Sequence, residues 1–189
     1  RHEAPGYLQA EITTSAAREG VARTPADFAV PLAADECRQV GGRAELGRYL
    51  SEEIGPAVER LGFRSSLWDN PVAGAPPLLF AERSEDPSLP TVLMYGHGDV
   101  VAGHDSQWSG GRSPWEVCAV DGRWYGRGTA DNKGQHTINL AALAQVLAAR
   151  GRLGFNAKLL LEMGEEVGSP GLRRICETCA SSLRADVLI

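Results

Sequence analysis

Gly96-His97-Gly98-Asp99-Val100-Val101 sets an imidazole and a carboxylate two residues apart. In extended backbone that spacing puts both side chains on one face, where His97 could ligate a metal and Asp99 could fix its ring. The flanking glycines would let the chain turn sharply around a bound ion. The same pair would also serve as a hydrogen-bonded structural couple, so the motif alone leaves the choice open. Further along, Gly164-Glu165-Glu166-Val167-Gly168-Ser169 carries two adjacent carboxylates between glycines. Adjacent side chains diverge, so one glutamate could hold a cation while the other faces a water that the cation activates. A solvated acidic loop is the plainer alternative. Between the two clusters, the Gly-rich stretch from Tyr125 to Gly134 supplies Asp131 at the entrance to a helix, where N-capping is the competing role.

Two of these clusters directly follow apolar runs, as expected if they sit at the carboxyl ends of strands in an open α/β sheet. Leu46, Leu50, Ile54, Val58 and Leu61 recur every three or four residues and predict a helix that Gly62 ends. Leu78 to Ala81 and Thr91 to Tyr95 read as strands, the second fully buried. Ile138, Leu140, Ala141, Leu143, Ala144, Leu147 and Ala148 predict a strongly apolar, core-facing helix. Ala157 to Glu162 is the next strand, Pro170 opens a third helix, and Ala185 to Ile189 starts another strand. This order implies an α/β fold whose sheet has parallel strands and helices on both faces.

Composition removes several classes of function. A net charge of -5 disfavours a nucleic-acid partner, and no apolar run approaches the roughly 20 residues of a membrane span. Cys37, Cys118, Cys176 and Cys179 are too few and scattered for a disulfide framework, which favours a reducing, cytoplasmic setting. The Cys176/Cys179 pair lies in a predicted helix without the further ligands of a zinc site, and reads as two helical cysteines. No Gly-x-Ser-x-Gly elbow is present, and Val101 occupies the third glycine position of a dinucleotide loop. Arg1 to Gly6 holds neither an initiating Met nor a signal-peptide core, so a fragment or processed product is expected.

Taken together, Gly-His-Gly-Asp-Val-Val, then Trp-Tyr-Gly-Arg-Gly-Thr-Ala-Asp-Asn-Lys-Gly, then Gly-Glu-Glu-Val-Gly-Ser resemble the M20 metallopeptidase family in order and spacing. The family includes carboxypeptidases, acetylornithine deacetylases and succinyl-diaminopimelate desuccinylases, and the likeness covers roughly Thr91 to Ile189. It implies a three-layer αβα catalytic domain with a mostly parallel mixed sheet, of which residues 1–189 would be the N-terminal part. It also implies a dizinc hydrolase of amide or peptide bonds in dipeptides or N-acyl amino acids, with cobalt or manganese as alternative metals. By resemblance His97 ligates one zinc, Asp131 bridges both and Glu166 ligates the second; Glu165 is the general base and Asp99 steadies His97. The Asp131–Asn132 peptide bond is expected to be cis.

The family's remaining aspartate and histidine ligands are not among these residues, and neither His104 nor His136 sits in a ligand motif. The chain alone is therefore expected to be catalytically silent. The family's inserted dimerisation domain is also missing here, so any homodimer would belong to the full-length protein. A non-catalytic or merely metal-binding remnant of such an enzyme is the rival reading.

Overall fold

A computed structural model describes residues 43–189, so the weak helical period of Tyr7 to Val21 and Cys37 lie outside the described residues. The first predicted helix is present in three continuous pieces. They are α1 (Arg43–Arg48), a π-helical stretch over Tyr49–Ile54, and α2 (Gly55–Arg60). Leu46, Leu50, Ile54 and Val58 are buried as the periodicity requires, and Tyr49 joins them at 1% exposure. Gly62, at φ +78°, ends the run in the left-handed conformation that glycine adopts without steric cost.

The main sheet contains β1 (Arg64–Trp68), β2 (Leu78–Arg83), β3 (Thr91–His97), β6 (Asn156–Glu162) and β7 (Val187–Leu188), in the order β1-β2-β6-β3-β7. A separate hairpin pairs β4 (Cys118–Val120) with β5 (Arg123–Tyr125). The β6–β3 and β3–β7 ladders are parallel, whereas β1–β2 and β2–β6 are antiparallel. The sheet is mixed as expected, but the helix-linked parallel order does not extend to β1 and β2. Their connection, which includes Asn70-Pro71 and Pro76-Pro77, is too short and too Pro-rich for the crossover helix a parallel pair needs. The β1 strand itself, Arg-Ser-Ser-Leu-Trp, has too few apolar residues to announce itself in the sequence.

Alternating side chains divide the sheet between two cores. Leu79, Ala81, Met94, Leu159 and Leu161 pack with the first helix and with α3 (Lys133–Arg150). Leu78 and Leu160 face the other way, against Ile175 of α4 (Leu172–Thr178), with Leu183 of α5 (Ala180–Leu183) at the margin. Helices thus cover both faces, giving the three layers expected.

Four local expectations need correction. Residues Thr91, Leu93 and Tyr95 of β3 are half-buried because α4 and α5 cover the second face only partly, and Val92 is half-buried at the margin of the first core. Ile138 is 46% exposed; α3 buries one face, through His136, Leu140 and Leu143. The third helix begins at Leu172, two residues after Pro170, because Gly171 at its N-cap is left-handed. It also breaks at Cys179, where α4 gives way to α5. Among the described residues no helix is long and apolar enough to cross a membrane.

Candidate metal centre

β3 ends at His97 and β6 at Glu162, paired side by side in parallel register, so the loops that follow them leave the sheet at one edge. Gly98 N–H donates to Glu162 O at 2.9 Å and ties the first loop to the end of the second strand. The two glycines around His97 are needed for close approach rather than for a turn, since neither takes a positive φ. A Cβ on Gly96 would lie 2.5 Å from Asn132 Oδ1 and 2.9 Å from Leu161, and one on Gly98 would lie 2.6 Å from Met163 Sδ and 2.7 Å from the Tyr49 ring. In the second loop, Gly168 at φ +89° closes the single 3₁₀ turn that carries Glu165 and Glu166.

Asp99 is fully buried and joins the clusters. One carboxylate oxygen lies 3.3 Å from His97 Nδ1 and accepts Glu165 N–H at 3.2 Å, while the other accepts Glu166 N–H at 3.0 Å. Burial alone would raise the pKa of Asp99, but His97 and the two loop amides outweigh it and hold it below the usual value. The sequence suggested a link from Asp99 to His97; its grip on the glutamate loop needs the fold to be seen. His97 Nδ1 also lies 3.1 Å from the Asp99 carbonyl oxygen.

The other ring nitrogen of His97 faces outward. Its Nε2 lies 3.0 Å from Asp131 Oδ1 and 3.8 Å from Glu165 Oε2. Burial opposes charge on this imidazole, yet Asp99 and Asp131 overcome it and push the pKa up to about 9. Asp131 and Glu165 are open to solvent, at 75% and 45% side-chain exposure, on the rim of a site whose base is formed by His97 and Asp99. Glu166 is half-buried; burial first, then the neighbouring Asp131 charge, raises its pKa. Asp131 is not the helix cap, because Asn132 occupies that position, and the Asp131–Asn132 bond is cis as expected.

One imidazole nitrogen and several crowded carboxylate oxygens are a donor set suited to a divalent cation such as zinc. Asp131 Oδ1 and Glu165 Oε2 both approach His97 Nε2, at 3.0 and 3.8 Å, so two of these oxygens share one side of the ring. Among the described residues, no three His, Cys, Asp or Glu side chains are arranged to hold an ion between them. His97, Asp131 and the Glu165/Glu166 loop do meet at one edge, as the motifs imply.

Sequence reasoning passed over Glu162, which is buried at the end of β6 and accepts hydrogen bonds from Tyr95 Oη at 2.5 Å and Ser169 Oγ at 2.7 Å. Burial leads the effects that raise its pKa. Its place at a strand end was the available signal. Asn132 was also missed, although its side chain accepts the His97 N–H at 3.0 Å.

The sheet gathers a histidine and acidic loops at the ends of its parallel strands, in the order in which the three sequence motifs occur. The model of peptidase family M20/M25/M40 matches residues 93–189, more than half of the chain, and the chain belongs to that family. It is 38% identical to mouse Beta-Ala-His dipeptidase over 65% of this chain and 25% of the relative. The crystal structure of human carnosine dipeptidase 1 is similar at TM-score 0.74 and 31% identity, over 83% of this chain and 36% of that one. An M20 family metallo-carboxypeptidase from Sulfolobus solfataricus is similar at TM-score 0.72 and 29% identity, over 87% of this chain and 36% of that one. The chain spans about a quarter of the length of the curated dipeptidases it matches.

Proposed function

We propose that these residues form the N-terminal part of the catalytic domain of a dinuclear metallopeptidase that hydrolyses dipeptides or N-acyl amino acids. The observation that carries this reading is the meeting of His97 Nε2, Asp131 and Glu165 within 3.8 Å at one sheet edge, with Asp99 tying their loops together. The dipeptidase and metallo-carboxypeptidase relatives support the substrate class.

In this reading His97, Asp131 and Glu166 hold two divalent cations, zinc by donor chemistry, with cobalt or manganese as alternatives. Such cations, when bound, would supply Lewis-acid stabilisation of charge developing on the scissile carbonyl and would lower the pKa of a water to about 7. Glu165 would accept the proton of the attacking water at a carboxylate oxygen and return it to the leaving amine nitrogen. Asp99 orients His97 and, through the loop amides, sets where Glu165 and Glu166 stand. The remaining ligands come from the rest of the full-length protein. Three free thiols among the described residues, Cys118, Cys176 and Cys179, suit a reducing, cytoplasmic compartment.

The test is metal content and turnover of the full-length protein on a panel of dipeptides and N-acyl amino acids, before and after chelation. Two bound metals per chain with chelator-sensitive cleavage support the proposal. Metal retention without turnover on any substrate would favour a metal-binding relative that has lost catalysis.

A further inference from the structure

The main-chain N–H of His97 donates to Asn132 Oδ1 at 3.0 Å. A main-chain amide can only donate, so the Asn132 oxygen must face it, and Asn132 Nδ2 donates at 2.5 Å to Gln135 Oε1 on the other side. His136 Nδ1 lies 3.3 Å from the same Asn132 oxygen. That oxygen accepts only, so Nδ1 carries the proton and Nε2 is bare. Nε2 lies 2.6 Å from Tyr49 Oη, so the phenol is the donor there. Every proton along this chain follows from one fixed group, the His97 amide.

We infer that Tyr49, His136 and Asn132 form a buried positioning relay that fixes the backbone of His97 and so the direction of its outward nitrogen. Tyr49 and His136 are each 1% exposed. Tyr49 also closes the other side of His97, because its ring fills the space a side chain at Gly98 would need, while Asn132 Oδ1 fills the space at Gly96 with His136 Nδ1 close behind it. The helical stretch before β1 and the first turn of α3 therefore clamp the end of β3 from two directions. Burial leads the effects that keep the His136 imidazole neutral, with pKa pushed down to about 3, which suits a ring that must accept at one nitrogen. The relay rests on the proposed function only in taking His97 as a metal ligand; its hydrogen bonding does not.

The experiment is histidine-selective ¹⁵N NMR of the full chain, with amide exchange at His97. His136 is expected as the Nδ1–H tautomer, and Tyr49→Phe should move its Nε2 signal and speed His97 amide exchange about ten-fold, as loss of one buried hydrogen bond implies. An Nε2–H tautomer, or an unchanged His97 amide in Tyr49→Phe, overturns the relay. His136→Asn keeps a donor at the δ position and should retain most of the protection that His136→Leu loses; equal loss in both would reduce His136 to packing and overturn it. Zinc titration of the full-length protein is a separate arm, in which Tyr49→Phe should weaken binding about ten-fold, the low end for residues that orient a ligand. Unaltered zinc affinity overturns the positioning role. Wild-type protein that binds no zinc defeats the metal reading, and the tautomer and amide results then decide the relay.

Discussion

The two ends of the central sheet both carry acidic residues, and they treat them in opposite ways. At the amino end of β3 and β6, Glu85 accepts Leu153 N–H at 2.7 Å and Gly154 N–H at 2.9 Å, and pairs with Arg83 at 3.3 Å. Beside it, the Asn156 side chain accepts from the Glu85 and Asp86 amides and donates to the Asp86 and Leu89 carbonyls. Those donors satisfy both oxygens of Glu85, which joins the loops. At the carboxyl end, Asp131 and Glu165 are exposed, and both approach the His97 ring. Backbone amides that saturate a carboxylate make it structural, whereas carboxylates crowded together and opened to solvent are poised for chemistry.

The sharpest way to break this comparison is Glu165→Gln in the full-length protein. Loss of a general base typically lowers rate by about 10² to 10⁴. Turnover should fall into that range while metal content, measured by elemental analysis, is kept; near wild-type turnover would remove Glu165 from its role. Asp99→Asn should have the next largest effect. It keeps the shape but removes a charge that faces His97 and two loop amides, so zinc affinity should drop about 10- to 100-fold, as is usual for groups that orient ligands. An unchanged zinc isotherm would show that the loops hold their places without Asp99.

The opposite end should respond in stability alone. Glu85→Ala removes the acceptor of two amides at a side chain only 11% exposed, which should cost about 2 kcal/mol in urea unfolding, in line with hydrogen bonds to charged groups. Zinc affinity should not change. The Leu153 and Gly154 amides are the leading cause of the lowered Glu85 pKa in the fold. Its contribution is therefore complete above the unfolded value of 4.5 and is lost as pH falls through the lower folded value. The wild-type advantage over Glu85→Ala should accordingly shrink on acidification below about pH 4.5 and not on raising pH from 7. A gap that instead widens in acid would show that Glu85 is not held as a carboxylate.

How far the sequence disclosed this contrast follows from what each residue depends on. The helix stripe from Leu46 to Val58, α3, β3 and β6 rest on local periodicity and were all legible. So were His97, Asp99, Glu165 and Glu166, which strand ends deliver, and Asp131, which stands at the entrance to α3. β1 was not, because its half-exposed Arg-Ser-Ser-Leu-Trp gains its place from pairing with β2 rather than from its own pattern. The antiparallel half of the sheet depends on connection length, which the pattern of elements alone misjudged. Asn132, His136 and Tyr49 act through contacts such as the 2.6 Å Tyr49–His136 bond, between residues remote in sequence, and no spacing rule links them. His136 sits in no ligand motif, and its burial beside Tyr49 and Asn132 is what gives it two defined partners.

The smallest effect expected separates pairing from burial. Glu82, three residues before Glu85, pairs with Arg64 Nη2 at 2.8 Å across the β1–β2 ladder, a shorter ion pair than that of Glu85 with Arg83. Distance alone would rank it the stronger. Its Arg64 side chain, however, is 83% exposed, so water screens the charges and the long side chain loses entropy on being held. Removing it should cost no more than about 0.5 kcal/mol, with a coupling to Glu82 of similar size in a double-mutant cycle of Arg64→Ala and Glu82→Ala. The coupling should fade as salt is raised towards 1 M, where the screening length shrinks to about 3 Å. Glu85→Ala should keep most of its cost under the same conditions, because amides rather than a solvated cation hold that carboxylate. A salt-resistant coupling above about 1.5 kcal/mol at Glu82 would mean that exposure does not divide structural from idle carboxylates here, since exposed pairs rarely exceed 1 kcal/mol.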